Sequence, residues 1–287
     1  MRRLLLMFFV VAVLFGAAYE FRKWQNTPLV APLESKIETA PKIRTIGRSL
    51  EGRKIDAYSF GNGDTRLVFI GGIHGGYEWN SVLLAYKFLD YLSESPKMVP
   101  RNLAITIIPS LNPDGVYKVT GKEGRFAATD VSTEKSIVES GRFNAEDVDL
   151  NRNFDCKWKP VSMWRGQKVS AGKGAFSEPE AKAFKEFVLD EGPTVVIFWH
   201  SQANSVYASE CKDGILPATL AIAHTYAKAA GYNAVDSFDS YEISGDAEGW
   251  LASIGIPAIT VELGTHKTIE WEKNLAGIKA LFRYYAK

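Results

Sequence analysis

The 287-residue chain has only two cysteines and four histidines, and its 34 Lys and Arg nearly balance its 33 Asp and Glu. A formal net charge of +1 argues against a strongly anionic partner, nucleic acid included. No internal repeat, heptad run or low-complexity tract is present, which excludes solenoids and coiled coils. The two cysteines lack CxxC spacing and make no zinc site of their own. Long apolar runs are scarce as well. The longest, Leu4 to Tyr19, reaches about 24 Å as a helix, short of the roughly 30 Å hydrocarbon core of a bilayer.

What is present suggests an exported domain. Arg2-Arg3 precede that apolar run, and Gly16-Ala17-Ala18 offers small residues for a cut after Ala18. Residues 1–18 are therefore expected to be a cleaved signal peptide or an uncleaved signal anchor. No cysteine follows the run, so a lipid anchor is excluded. Pro28, Pro32 and Pro41 break residues 19–42 into a linker. The folded part, 43–287, is expected outside the cytoplasm as a monomer, touching a membrane only through the N-terminal segment. An oxidising compartment suits Cys156 and Cys211, which either pair and tie two loops together or remain two buried thiols.

With 46% hydrophobic residues, the chain can bury one large core or at most two small ones. A hairpin is expected from Ile43–Ile46 and Ile55–Phe60 around Leu50-Glu51-Gly52-Arg53. Strands are expected at Leu67–Ile73, Leu103–Ile108, Thr194–Trp199 and Ala258–Leu263. Helical spacing marks Glu78–Tyr91, Ile215–Ala230 and a final helix to Tyr285. Ser177-Glu178-Pro179-Glu180 reads as a capping box that opens a helix to about Leu189. Residues 112–177 read as one long irregular stretch, of the kind that carries function. Strands alternating with helices predict an α/β fold, a mixed and largely parallel twisted sheet with helices on both faces.

The chemistry gathers at strand ends. His74-Gly-Gly-Tyr-Glu78 closes one apolar run, Trp199-His200-Ser201 another, and Thr260-Val261-Glu262-Leu263 a third. Two imidazoles, a carboxylate and a spare carboxylate at the ends of parallel strands are the components of a hydrolytic zinc site. Alone, His74 and Glu78 also fit a strand-end histidine and a helix-start glutamate. His224 falls inside a helix and reads as surface or core, whereas His266 falls in a loop near Glu262 and reads as a group behind the site. Arg152, in Asn151-Arg152-Asn153-Phe154, suits a carboxylate clamp or a pairing with Asp149 or Asp155. Arg142 and Arg125 compete as a second site cation. Tyr241, which begins a Tyr-Glu-Ile-Ser-Gly loop, can cover a substrate or simply pack that loop.

The order His…Glu, Asn112-Pro-Asp-Gly115, Arg, Asn-Arg, His-Ser, Tyr-x-x-Ser-Gly and Glu-Leu resembles the zinc metallocarboxypeptidases of the carboxypeptidase A type. The likeness runs from about Ile46 to the C-terminus. It implies one zinc ion held by His74, Glu78 and His200, with Glu262 as general base for a metal-activated water. It further implies Arg142 at the oxyanion, Asn151 and Arg152 on the substrate's terminal carboxylate, and Tyr241 as cover. Glu248 aligns with the family's side-chain-pocket determinant, with Asp246 as its alternative. A carboxylate there favours a basic or amine-bearing terminal residue on a peptide or muropeptide substrate. This sequence departs from the family twice. Three residues separate His74 from Glu78 where the family has two, a spacing the two glycines permit. Arg142 also sits closer to Asn151-Arg152 than in the pancreatic enzymes. A related zinc amidase or deacylase, and a catalytically silent binding protein of the same fold, are the alternatives.

Overall fold

Strand β3 (Thr65–Ile70) divides its side chains between two cores. Leu67 and Phe69 enter one, Val68 and Ile70 the other, as the two-residue period of a strand buried on both faces requires. The computed structural model that shows this describes Arg22, residues 40–238 and residues 241–286. The expected export segment 1–18 and most of the 19–42 linker lie outside the described residues. Among the described residues no helix is long and apolar enough to cross a membrane.

Eight strands form one mixed sheet. Its order is β1 (Lys42–Arg48), β2 (Lys54–Gly61), β4 (Leu103–Ile108), β3, β7 (Val195–Ser201), β12 (Ala258–Leu263), β8 (Ser205–Ala208) and β11 (Asn233–Val235). The central four, β4, β3, β7 and β12, are parallel neighbours. The β1–β2, β2–β4 and β12–β8 pairs are antiparallel, and β8–β11 is parallel.

Helices cover both faces, as the periodicity predicts. On one, Leu84 and Phe88 of α1 (Trp79–Glu94), Tyr226 of α5 (Pro217–Ala230) and Leu281 of α7 (Trp271–Tyr285) share a core with Phe69, Trp199 and Val261. The Trp199 indole donates to the Tyr226 hydroxyl at 3.2 Å, so the largest side chain in this core leaves no polar atom unpaired. On the other face, Phe184 and Phe187 of α4 (Pro179–Glu191) and Trp250 and Leu251 of α6 (Ala247–Ser253) pack with Val68, Phe198 and Ala258.

Local expectations need correction in places. Strand β3, expected to run from Leu67 to Ile73, spans Thr65–Ile70, because Gly71 and Gly72 already lead into the turn that carries His74. Residues 112–177 are not wholly irregular. They hold α2 (Pro113–Thr120), α3 (Lys135–Ser140) and a hairpin of β5 (Val161–Trp164) and β6 (Gln167–Ser170). These elements are too short for a clear hydrophobic period. Helix α4 has Glu178, not Ser177, at its N-cap. The Ser177 hydroxyl instead donates to Glu178 and accepts from the Asn153 amide.

Candidate active site

Because β3, β7 and β12 run in the same direction, their C-terminal ends open on one edge of the sheet, where α/β folds build sites. His74 follows β3, while His200 and Glu262 are register partners near the ends of β7 and β12. Glu78 arrives by a tight route. The chain leaves His74 through Gly75 at φ +48, where a Cβ would lie 2.4 Å from the Gly141 carbonyl oxygen. Gly75–Glu78 then winds as a 3-10 turn with His74 at its N-cap. That turn absorbs the extra residue and returns the carboxylate to the histidines. His74, Glu78 and His200 are all buried, and each offers a ligand atom within 4.8 Å of the others.

The donor set fits a divalent ion. Glu78 Oε2 and His74 Nδ1 are buried with no hydrogen-bond partner, and His200 Nδ1 lies 3.2 Å from that same Glu78 oxygen without bonding it. Polar atoms left unpaired around one point are what a metal satisfies. Burial and the Arg142 charge push His74 down to about 4, so its imidazole is neutral, the form that coordinates. Burial works against the Glu78 carboxylate, but both histidines and Arg142 hold it well below the usual range.

Asp149 organises the surroundings. Its Oδ2 accepts from Arg142 Nε at 3.0 Å and is ion-paired with Nη2 at 2.8 Å. Its Oδ1 accepts from the Asn151 backbone at 3.2 Å and stands 3.4 Å from His74 Nδ1. Burial opposes its charge, yet Arg142 and His74 keep it below the ordinary carboxylate range. One carboxylate thus fixes the site cation and the start of the Asn-Arg pair, and stands beside a candidate ligand. Arg142 has Nη1 left over, 3.9 Å from Glu78 Oε1, and its guanidinium lies over Trp164. Arg125, its rival in the sequence, is spent on a bidentate pair with Asp90 at an exposed position.

Asn151 and Arg152 are both buried in the cavity wall. Asn151 Oδ1 accepts from the Ala247 backbone at 2.8 Å, which leaves its amide N–H groups to face a ligand. Arg152 forms no ion pair among the described residues. Its Nη1 donates to the Asn151 carbonyl, and its Nε is buried without a partner. Gly245 holds the next loop against it, since a Cβ there would lie 2.1 Å from the Arg152 carbonyl oxygen. Tyr241, half exposed, lines the cavity and packs on Phe238 at 4.7 Å.

Glu262 and Glu248 differ sharply. Glu262 Oε2 has no partner, and burial with the Glu78 charge raises its carboxyl above the usual range, while His200 and Arg142 oppose this. Glu248 is buried, and its Oε1 accepts from His200 Nε2 at 3.0 Å and Thr260 Oγ1 at 3.1 Å. Burial pushes it up, but the His200 bond and charge hold it low. The supposed side-chain-pocket residue therefore also grips a candidate ligand. Asp246, its alternative, caps α6 by accepting from the Gly249 backbone at 2.7 Å.

The cavity enclosed by these groups measures about 820 Å³. Cys156 and Cys211 are joined as a disulfide, which ties the segment after Asn151-Arg152 to β9 (Glu210–Cys211), paired antiparallel with β10 (Gly214–Ile215). His224 is exposed and paired with Asp236 at 2.5 Å, away from the site. His266 lines the cavity, packed on Tyr77 with ring centroids 4.8 Å apart. Sequence reasoning missed Asp149, Tyr77 and Trp164 as site residues. For Asp149 a signal existed, an acid two residues before Asn151. Tyr77 also had one, lying between His74 and Glu78 in the chain, whereas Trp164 had none.

The zinc carboxypeptidase family model matches residues 30–279. A γ-D-glutamyl-L-diamino acid endopeptidase of Lysinibacillus sphaericus is 24% identical over 243 residues, 77% of this chain and 60% of its own length. Carboxypeptidase B of Helicoverpa zea is 27% identical over 259 residues, 79% of this chain and 59% of its own. The chain thus spans about three-fifths of these two curated relatives. Among solved structures, the murein-tripeptide amidase of Escherichia coli O157 superposes with a TM-score of 0.61 at 24% identity, covering 86% of this chain and 94% of that one.

Proposed function

The chain belongs to the zinc carboxypeptidase family, and we propose that it removes the C-terminal residue from peptides or peptidoglycan stem peptides outside the cytoplasm. One observation carries this. Glu262 presents an unpaired, buried carboxylate oxygen beside His200, while Asn151 and Arg152 leave donors open in the same cavity. A base at the metal edge makes a hydrolase, and a buried donor clamp for a terminal carboxylate makes it an exopeptidase.

His74, Glu78 and His200 would hold a zinc ion, which would supply Lewis acidity for an attacking water and for the scissile carbonyl. Glu262 takes the proton from the attacking water and returns it to the leaving amine. Its raised affinity for a proton suits that work, and the charge of a bound ion would lower that affinity back toward the ordinary carboxylate range. Arg142 donates from Nη1 to the developing oxyanion, its other nitrogens being fixed by Asp149. Asn151 and Arg152 hold the terminal carboxylate, and Tyr241 closes over it.

Glu248 is held as an anion and uses only Oε1 on His200 and Thr260, which supports a preference for a basic or amine-bearing terminal side chain. The name of the Lysinibacillus endopeptidase, with its diamino acid, supports the same chemistry. The Cys156–Cys211 disulfide supports an extracytoplasmic site of action. A panel of peptides, N-acyl amino acids and muropeptides tests the assignment. Release of a free C-terminal amino acid from a peptide is expected. Cleavage confined to N-acyl amino acids points to the deacylase, and no cleavage with zinc bound points to a binding protein.

A further inference from the structure

His266 takes no part in the mechanism above, yet its tautomer is dictated by a network of four hydrogen bonds. Asn80 is fully buried, and its amide nitrogen donates to two carbonyls, Thr265 at 2.7 Å and Thr268 at 3.0 Å. Carbonyls only accept, so the Asn80 oxygen must face the other way, toward Ser201. The Ser201 hydroxyl donates its single proton to that oxygen at 3.0 Å. Ser201 Oγ is also 2.8 Å from His266 Nδ1, and with its proton spent it can only accept there. His266 Nδ1 therefore carries the hydrogen. In a neutral imidazole this leaves Nε2 as a bare lone pair. Among the described residues nothing bonds Nε2, and the half-buried ring lines the cavity. Burial, with the Arg165 and Arg142 charges behind it, pushes His266 below its ordinary value despite Glu78, in keeping with the neutral ring.

A fixed acceptor on a cavity wall selects for a donor. Arg142, Arg152 and Asn151 present donors to the cavity, so a substrate carboxylate or carbonyl already has partners. A substrate N–H needs an acceptor, and His266 supplies one on a wall built from Tyr77 and Ser201, sharing no hydrogen-bond partner with Arg152. Building on the carboxypeptidase assignment, we propose that His266 Nε2 accepts a hydrogen bond from an N–H group on the acyl side of the scissile bond. With the terminal residue lying between Arg152 and the metal, the acyl portion is what extends along the remaining wall. That N–H is either a peptide amide or a free α-amine, and His266 is a substrate-positioning residue for it.

The first test reads the tautomer without reference to activity. In the zinc-loaded full chain labelled with 15N-histidine, and assigned with His266→Gln, His266 should be protonated at Nδ1 and bare at Nε2 at neutral pH. An Nε2–H tautomer or an imidazolium would overturn the proposal. The second test uses three acylated or free substrates with one terminal residue, an N-formyl dipeptide, its N-methyl-N-formyl counterpart and the unblocked dipeptide. Wild type should favour the N–H substrates over the N-methyl one by roughly threefold to tenfold in kcat/KM. His266→Phe should abolish that ratio, and His266→Gln, which keeps an acceptor oxygen, should retain part of it. A loss confined to the unblocked dipeptide identifies the amine as donor, and a loss on the formylated pair identifies the amide. A ratio unchanged in His266→Phe, with zinc content and melting temperature intact, overturns the proposal. If that variant does not fold, His266→Gln and the tautomer measurement decide. Should wild type cleave no peptide at all, the carboxypeptidase assignment fails, a result separate from an unchanged ratio in an active enzyme.

Discussion

Glu262 stands directly across from His200 in the parallel ladder of β7 and β12. Backbone hydrogen bonding alone therefore keeps the candidate base beside a candidate zinc ligand, with its Oε2 unpaired. Glu262→Gln preserves shape and removes the base. Turnover should fall by about 10²- to 10⁴-fold while zinc content stays at one ion per chain. Metal analysis beside single-turnover hydrolysis checks this, and undiminished turnover in the variant refutes the assignment.

Glu248 bonds His200 Nε2 as well as facing the cavity, so its substitution should have two separable effects. Glu248→Gln should weaken zinc binding by about tenfold or more, measured by chelator competition, because the ligand imidazole loses its carboxylate partner. It should also reduce activity on C-terminal Lys more than on C-terminal Leu at saturating zinc. Equal losses on the two substrates would remove the specificity role and leave the positioning one.

The disulfide closes a loop between residues 55 apart, and both sulfurs are buried beside site-forming segments. Replacing Cys156 and Cys211 together by Ser should lower stability by about 2–5 kcal/mol in denaturant unfolding. The KM should rise as the segment after Arg152 loosens. A variant with wild-type stability would show that packing alone holds the loops.

Glu180 provides a pH signature outside the cavity lining. It is fully buried in the first turn of α4, where desolvation raises its carboxyl to about 7 from 4.5, the Leu50 amide and Asn144 opposing. The folded state therefore holds a proton that the unfolded chain releases earlier. Its contribution is fully present below about pH 4.5 and is lost as pH rises through 7. Glu180→Gln should remove this dependence, gaining about 1–3 kcal/mol over wild type at pH 8 and little at pH 5. Thermal melts at the two pH values measure the difference. A variant equally destabilised at both would mean that Glu180 is charged when folded.

Much of this was legible in order along the chain. The strand Ala258–Leu263 and the strand Leu103–Ile108 fall at the bounds their apolar, β-branched runs predict, because every second residue of each is buried in the core. The Arg142 and Arg125 alternatives were not separable by sequence, since each follows Gly and precedes Phe. Only their acid partners distinguish them, Asp149 in the buried site and Asp90 on the surface.

By itself the sequence determined the residue types and their strand-end positions. His74, His200 and Glu262 each follow or end a hydrophobic run, and hydrophobic periodicity is a local property. Tertiary structure decided which atoms face which. The 3-10 turn through Gly75 returned Glu78 to the histidines, Asp149 took Arg142 rather than Arg152, and Glu248 was turned onto His200. Nothing local encodes those choices, because each depends on burying a polar group only where a partner from a distant segment meets it.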